Sequence, residues 1–182
     1  FLLRSLTAIA ALLIVRRWSR AAASFVPEHL HTTFLALSWF LWFLPYQHVR
    51  FSGETWAGLF FLLGLADMLN GAPRARSWMK VGLLFGLCVL LKPALLVACT
   101  GALAWSLIIA RRPFTIVLRM MLGGLLALVL GLAADSWFYD EFTPTFWNYL
   151  YKNALSITRV RPLPVAVEPY PWFYYLPWIM KY

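Results

Sequence analysis

An apolar run of about 30 residues, VGLLFGLCVLLKPALLVACTGALAWSLIIA from Val81 to Ala110, is interrupted by one Lys92-Pro93 step. At about 1.5 Å per residue the run is too long for one crossing of a hydrocarbon layer and too short for two full ones. Proline lacks the N–H a helix needs and clashes with the turn before it, so a helix stops there. The run therefore predicts two helices meeting at Lys92, the first too short to span.

Other apolar runs flank this one. FLLRSLTAIAALLIV precedes RRWSR, LHTTFLALSWFLWFLPY precedes QHVRFSGET, WAGLFFLLGLADML precedes NGAPRARSWMK, and a last run covers Phe114 to Ala134. With 62% hydrophobic and 13% charged residues, the chain has a membrane composition and not a soluble one. The formal net charge of +9 does not indicate a nucleic-acid partner, because the basic residues lie between apolar runs, where they set topology. The expected fold class is all-α, a polytopic membrane helix bundle with a broken or re-entrant helix pair and a long outer-face loop. Residues 1–134 hold about six segments, 135–172 form the loop with a short helix, and 173–182 open a further transmembrane helix. Phe1 is not an initiator, and the first run has no cytoplasmic lead-in, so the sequence reads as a fragment.

Positive charge assigns the faces. Arg16, Arg17 and Arg20 form one cluster, Arg74, Arg76 and Lys80 a second, Arg111, Arg112 and Arg119 a third. A broken hairpin at Lys92 puts all three on one face, the cytoplasmic one by the positive-inside rule. QHVRFSGET and the segment after Asp135 then lie opposite, in a periplasm or lumen. An unbroken helix at Lys92 would move the third cluster across.

Polar groups expensive in a membrane occur in three places. In RFSGE, Ser52 is a candidate N-cap with Glu54 in the first helical turn. Arg50 either pairs with Glu54 or faces a phosphate, which a planar guanidinium suits. Lys92, at bilayer depth beside a broken helix end, either lines an aqueous cavity open to the outer face or pairs with a carboxylate for structure. Asp67 is a poor partner for it, being near the cytoplasmic end of its own segment. The third place is the loop, where Asp135 marks a helix exit and Asn148, Tyr149, Lys152 and Asn153 follow. The spacing puts Tyr149, Lys152 and Asn153 on one face of a short helix. Carboxylate, amides and rings together suit a sugar, and an interfacial aromatic belt has a similar composition. Nothing marks two carboxylates as a facing glycosidase pair. Cys88 and Cys99 read as small core residues. His29, His31 and His48 are scattered, so no metal site and no cofactor are expected.

DSWFYDEFTPTFWNYLYKN, followed by EPYPWFYYL, resembles the mannosyltransferases of glycosyltransferase family 22. The matching positions are Asp135, Ser136, Phe138, Tyr139, Thr143, Pro144, Asn148, Tyr149, Leu150 and Asn153, then Pro171, Trp172, Tyr174 and Tyr175. Arg50, Ser52 and Glu54 resemble the family's Arg-x-Ser-x-x-Glu-like turn, and GLLFGLCVLLKP its glycine-rich helix ending in a basic residue and proline. Asp140 stands where a glycine is usual. Tyr170 and Phe173 stand where eukaryotic members often carry histidines, which points to a bacterial relative. The resemblance implies a GT-C-class enzyme that takes a sugar, mannose first, from a polyprenyl-phosphate donor on the outer face and passes it to a glycan or lipid-linked acceptor. It implies that Arg50 and Lys92 contact donor phosphate, and that Glu54, Asp135, Asn148, Tyr149 and Asn153 shape the substrate pocket. The family's presumed catalytic base belongs to a first outer loop that would precede Phe1. Membrane lipid is the remaining partner, and a bacterial inner membrane is expected before an ER membrane. The competing class is a non-enzymatic transporter or lipid-binding protein using the same broken helix. A bundled transporter normally shows an internal repeat, and none is seen here.

Overall fold

The computed structural model describes residues 1–40, 49–71 and 75–151, and every element among them is helical. In chain order these are α1 (Leu2–Ala23), α2 (His31–Phe40), α3 (Gly53–Leu69), α4 (Ala75–Leu91), α5 (Leu96–Ile108), α6 (Phe114–Tyr139) and α7 (Thr145–Leu150), with 3-10 turns at Glu28–Leu30 and Pro93–Leu95. Residues Phe1–Phe146 form one unit and Trp147–Tyr182 another. In the second, the described residues are the end of α7 and Tyr151. His48, Arg74, Lys152, Asn153, the Pro171–Tyr175 motif and the expected helix at 173–182 lie outside the described residues.

The helix breaks at Lys92-Pro93, as the sequence predicts. α4 stops at Leu91, Lys92 is extended with φ −146° and ψ 90°, and Pro93 opens the 3-10 turn that leads into α5. α5 then doubles back along α4. Cys99 Sγ approaches the Phe85 carbonyl at 3.9 Å, and the Arg112 guanidinium sits 5.4 Å from the Trp78 ring centre. α3 runs antiparallel to α4 on another side. Gly53 lies beside the Leu91 carbonyl, Phe61 packs on Phe85 at 5.6 Å between ring centres, and Lys80 Nζ donates to Asp67 Oδ2 at 3.1 Å.

α6 packs parallel to α4 along a row of small residues. Gly82 faces the Met120 backbone, Gly86 faces Gly124 and Ala127, Gly123 faces the Met79 backbone, and Gly131 faces Leu90. Glycines four apart let two helix backbones approach closely, and the packing so gained holds helices together where no hydrophobic effect separates them from lipid. The core centres on α4, with Trp78, Val81, Phe85 and Cys88 buried against Met68, Cys99 and Met120. Both cysteines are free and buried, as expected.

Among the described residues one helix, α6, is long and apolar enough to cross a membrane by itself, and α5 with its 3-10 entry is a shorter apolar helix. The all-α expectation therefore holds, whereas among the described residues one helix, and not several, has the length and apolarity of a span. The reasons are physical. α1 is 22 residues long but carries Arg4, Arg16, Arg17 and Arg20, and the break at Lys92 leaves α5 with 13 residues. Only 22% of the most apolar stretch of α6 is buried within the unit, whereas the core helix of a soluble protein is mostly buried.

Candidate functional site

Two charged constellations occupy opposite ends of the α3–α4 hairpin. At one end Asp67, 8% exposed, is held by the Arg17 guanidinium from α1 and the Lys80 ammonium from α4. Arg112 lies over Trp78 near the same end, so residues of all three basic clusters gather there. This is the arrangement that a doubled-back α5 predicts. A buried carboxylate with two cations is costly to break, because removing a partner strands a charge away from water. That constellation is structural.

The other end is built differently. Ser52 caps α3, its Oγ accepting from the Thr55 N–H at 3.2 Å, and this fixes Glu54 in the first turn. The expected helix start is thus present. α4 delivers Lys92 to the same place, where its Nζ donates to Glu54 Oε1 at 2.7 Å. The two side chains are 40% and 58% exposed. Glu54 precedes the apolar stretch of α3, which begins at Trp56. The hydrogen bond from Lys92, then the Lys92 charge and finally that of Arg50, hold its carboxyl below the usual carboxylate range. The sequence leaves Arg50 and Lys92 each a carboxylate as an alternative partner. Glu54 supplies it to Lys92, and Arg50 acts on the same carboxyl through its charge. Water screens such an exposed pair, so it contributes little to stability and can open for another anion.

α6 rises beside this pair. Gly131 meets Leu90, and α4 ends one residue later, while α6 continues to Tyr139. At 1.5 Å per residue the last two turns of α6 stand about 12 Å above the end of α4. Asp135, half-buried, lies within these raised turns, four residues beyond Gly131. The sequence places Asp135 at the helix exit, whereas the helix runs one turn further. Ser136, Trp137, Phe138 and Tyr139 contain no breaker, and the chain turns only at Asp140, in the left-handed region with φ 53°. There the Thr143 N–H donates to Ser136 Oγ at 3.4 Å and closes the turn.

Glycine adopts this left-handed backbone freely, and aspartate is among the few L-residues that also visit it. Asp140→Gly is expected to stabilise the protein by about 0.5–1 kcal/mol. A thermal melt in detergent reads this as a rise of a few degrees; a fall means that the Asp140 carboxylate itself holds the turn.

Asn148 and Tyr149 are exposed on α7, in the second unit. Asn153, expected on the same face, lies outside the described residues. The first unit therefore brings together Arg50, Glu54 and Lys92, with Asp135 at the same end.

Trp56 is not among the site residues expected from the sequence. It packs between Phe51 and Phe60, at 6.4 and 5.8 Å between ring centres, one turn below Ser52. Its Nε1–H is buried with no hydrogen-bond partner among the described residues. A buried donor is rarely left unpaired, so this one marks a place for a water or a ligand oxygen. An indole beside an interfacial helix start is the only sequence signal, and belt tryptophans give the same signal. An apolar cleft of about 260 Å³ runs between α4, α5 and α6, past Gly86, Val89, Leu96, Thr100 and Leu125.

His31 serves the backbone. Its Nε2 lies 2.8 Å from the Val26 carbonyl and 3.1 Å from that of Ala23, closing the turn after α1. No cluster of metal-ligating side chains occurs among the described residues.

No curated protein and no solved structure matched the chain. The model of the Alg9-like mannosyltransferase family matches residues 1–176, nearly the whole sequence. The glycine-rich helix that ends at Lys92, the capped turn at Ser52 and the aromatic segment from Asp135 lie inside that match, and on it the chain belongs to the Alg9-like mannosyltransferase family of glycosyltransferases.

Proposed function

We propose that this chain acts within an integral-membrane, multi-pass glycosyltransferase. It moves a sugar, mannose first, from a polyprenyl-phosphate donor to a lipid-linked or glycan acceptor. The transfer takes place at the end of the first unit that holds Glu54, Lys92 and Asp135. That end faces a periplasm or lumen, the Arg17–Lys80–Arg112 end faces the cytoplasm, and a bacterial inner membrane is the setting.

The observation that carries the reading is the Lys92–Glu54 pair, exposed and exchangeable at the foot of the raised end of α6. In group transfer the acceptor oxygen bonds to the sugar's anomeric carbon, the bond to the donor phosphate oxygen breaks, and the acceptor proton passes to a base. The departing polyprenyl phosphate gains negative charge, and a cation that meets it lowers the barrier. Lys92 exchanges Glu54 for that phosphate, with Arg50 beside it. Asp135, above the pair, bonds acceptor hydroxyls.

Two measurements test this. The first is sidedness. Because Cys88 and Cys99 are buried, single cysteines introduced at Arg112 and Arg50 are the only reactive thiols expected in a labelling experiment. An impermeant reagent outside intact membranes should reach position 50 and not 112; the reverse pattern overturns the topology. The second is chemistry. The full-length protein in proteoliposomes should transfer mannose from polyprenyl-phosphate mannose, and Asp135→Asn should lower the initial rate about tenfold with an unchanged melt. Movement of a solute without transfer would make the protein a transporter. Full activity of the Asp135→Asn variant would remove Asp135 from the site.

A further inference from the structure

The basic end of the unit carries a second candidate site. Leu13, Ile14, Arg16, Arg17 and Arg20 of α1, with Leu63 and Asn70 of the α3 side, line an open cleft of about 690 Å³. Leu13, Arg16, Arg17 and Arg20 recur at helical spacing, so they form one stripe along α1. Arg17 is already neutralised by Asp67, which Lys80 also holds. Arg16 and Arg20, one turn apart on the same stripe, have no ion-pair partner among the described residues. The cleft thus presents two uncompensated guanidinium groups at the charged end and leucine and isoleucine walls one turn further in.

That order is the order of an amphiphile. We infer that this cleft binds an anionic glycerophospholipid. Its phosphate lies between Arg16 and Arg20, Asn70 takes a headgroup hydroxyl, and an acyl chain runs along Leu13, Ile14 and Leu63. Guanidinium groups suit phosphate oxygens, and basic pockets between membrane helices at the cytoplasmic face hold anionic headgroups. The inference rests on the membrane placement proposed above and not on the transfer chemistry. The lipid site lies at the opposite end of α3 and α4 from Lys92, about 20 Å away by helix rise.

The test uses the full-length protein purified in mild detergent, with phosphatidylglycerol and phosphatidylcholine of the same acyl chains as probes. Native mass spectrometry counts the retained lipid, and a thermal melt reads stabilisation. Phosphatidylglycerol should be retained and raise the melting temperature, whereas phosphatidylcholine should do neither. Arg16→Gln/Arg20→Gln should lose this preference at least about fivefold, while Arg16→Lys/Arg20→Lys keeps some of it and reports that the helix still folds. The charge-matched Arg111→Gln/Arg119→Gln variant should keep the preference in full.

Equal losses in both glutamine variants would overturn the site in favour of a general charge effect. Full competition by soluble glycerol 3-phosphate would overturn the lipid in favour of a free phosphate. Mannose transfer is measured alongside. A phosphatidylglycerol preference in a protein without transfer leaves the lipid site standing and removes only the proposed reaction. An active protein without the preference does the opposite.

Discussion

Lys92→Met is expected to slow sugar transfer roughly ten- to a hundredfold while leaving the melting curve of the protein nearly unchanged, since on the proposed function the lost bond is a charge-assisted one to phosphate. The asymmetry follows from where the lysine sits. Its carboxylate partner, Glu54, is more than half exposed, so the pair adds little to folding. On the proposed reading the departing phosphate gains charge only as transfer proceeds, so the same ammonium counts for rate and not for folding. Glu54→Gln should act in the opposite sense, lowering the donor KM by removing a competing carboxylate. The double variant Glu54→Gln/Lys92→Met should be as slow as Lys92→Met alone. Initial rates against donor concentration, with a melt for each variant, read all three. If the double variant recovers activity, the pair only ties α3 to α4 and Lys92 meets no phosphate.

Gly82→Val is expected to abolish folded protein. A Cβ on Gly82 lies 2.6 Å from the Met120 carbonyl carbon and closer still to its oxygen, and both are backbone atoms that no rotamer change can clear. Relief requires α4 and α6 to separate along their whole row of small residues. Overpacking commonly costs about 1–3 kcal/mol, and a rigid backbone obstacle puts this case at the upper end or beyond. Gly101→Val on α5 is the matched control, because a Cβ there meets nothing within 4 Å. Yield and monodispersity in detergent decide the outcome. Normal recovery of Gly82→Val would mean that α4 and α6 do not pack as described.

The features legible in the sequence are the local ones. The Lys92-Pro93 break, the Ser52 cap and the placing of Glu54 in a first turn each depend on a few neighbouring residues, and each is found. The gathering of Arg17, Lys80 and Arg112 at one end follows from helix count once the break is accepted. The pair between Glu54 and Lys92 is not legible, because it joins positions 38 apart in sequence and needs α3 and α4 in register. Asp67 reads as lying near the cytoplasmic end, but its double neutralisation by Arg17 and Lys80 stays hidden for the same reason. The parallel contact of α4 with α6 is hidden differently. Its glycines look like ordinary membrane-helix composition until their partners are known. The helix exit at Asp135 is set one turn too early in the sequence reading, since an aromatic-rich stretch reads equally well as helix or interface.

The short distance between the two charged ends has a consequence for the surrounding bilayer. Glu54 and Asp67 are separated by about 20 Å of helix rise, against a hydrocarbon layer of about 30 Å. α6 beside them, with 26 residues, is about 39 Å long. One flank of the unit therefore matches a full-thickness bilayer and the other does not. In the membrane placement proposed above, lipids next to α3 and α4 bend inward to keep their headgroups level with Lys92 and Lys80, at a cost of fractions of a kcal/mol for each ångström of mismatch. On that placement the mismatch thins the bilayer beside the Lys92–Glu54 pair before any side chain has touched a lipid.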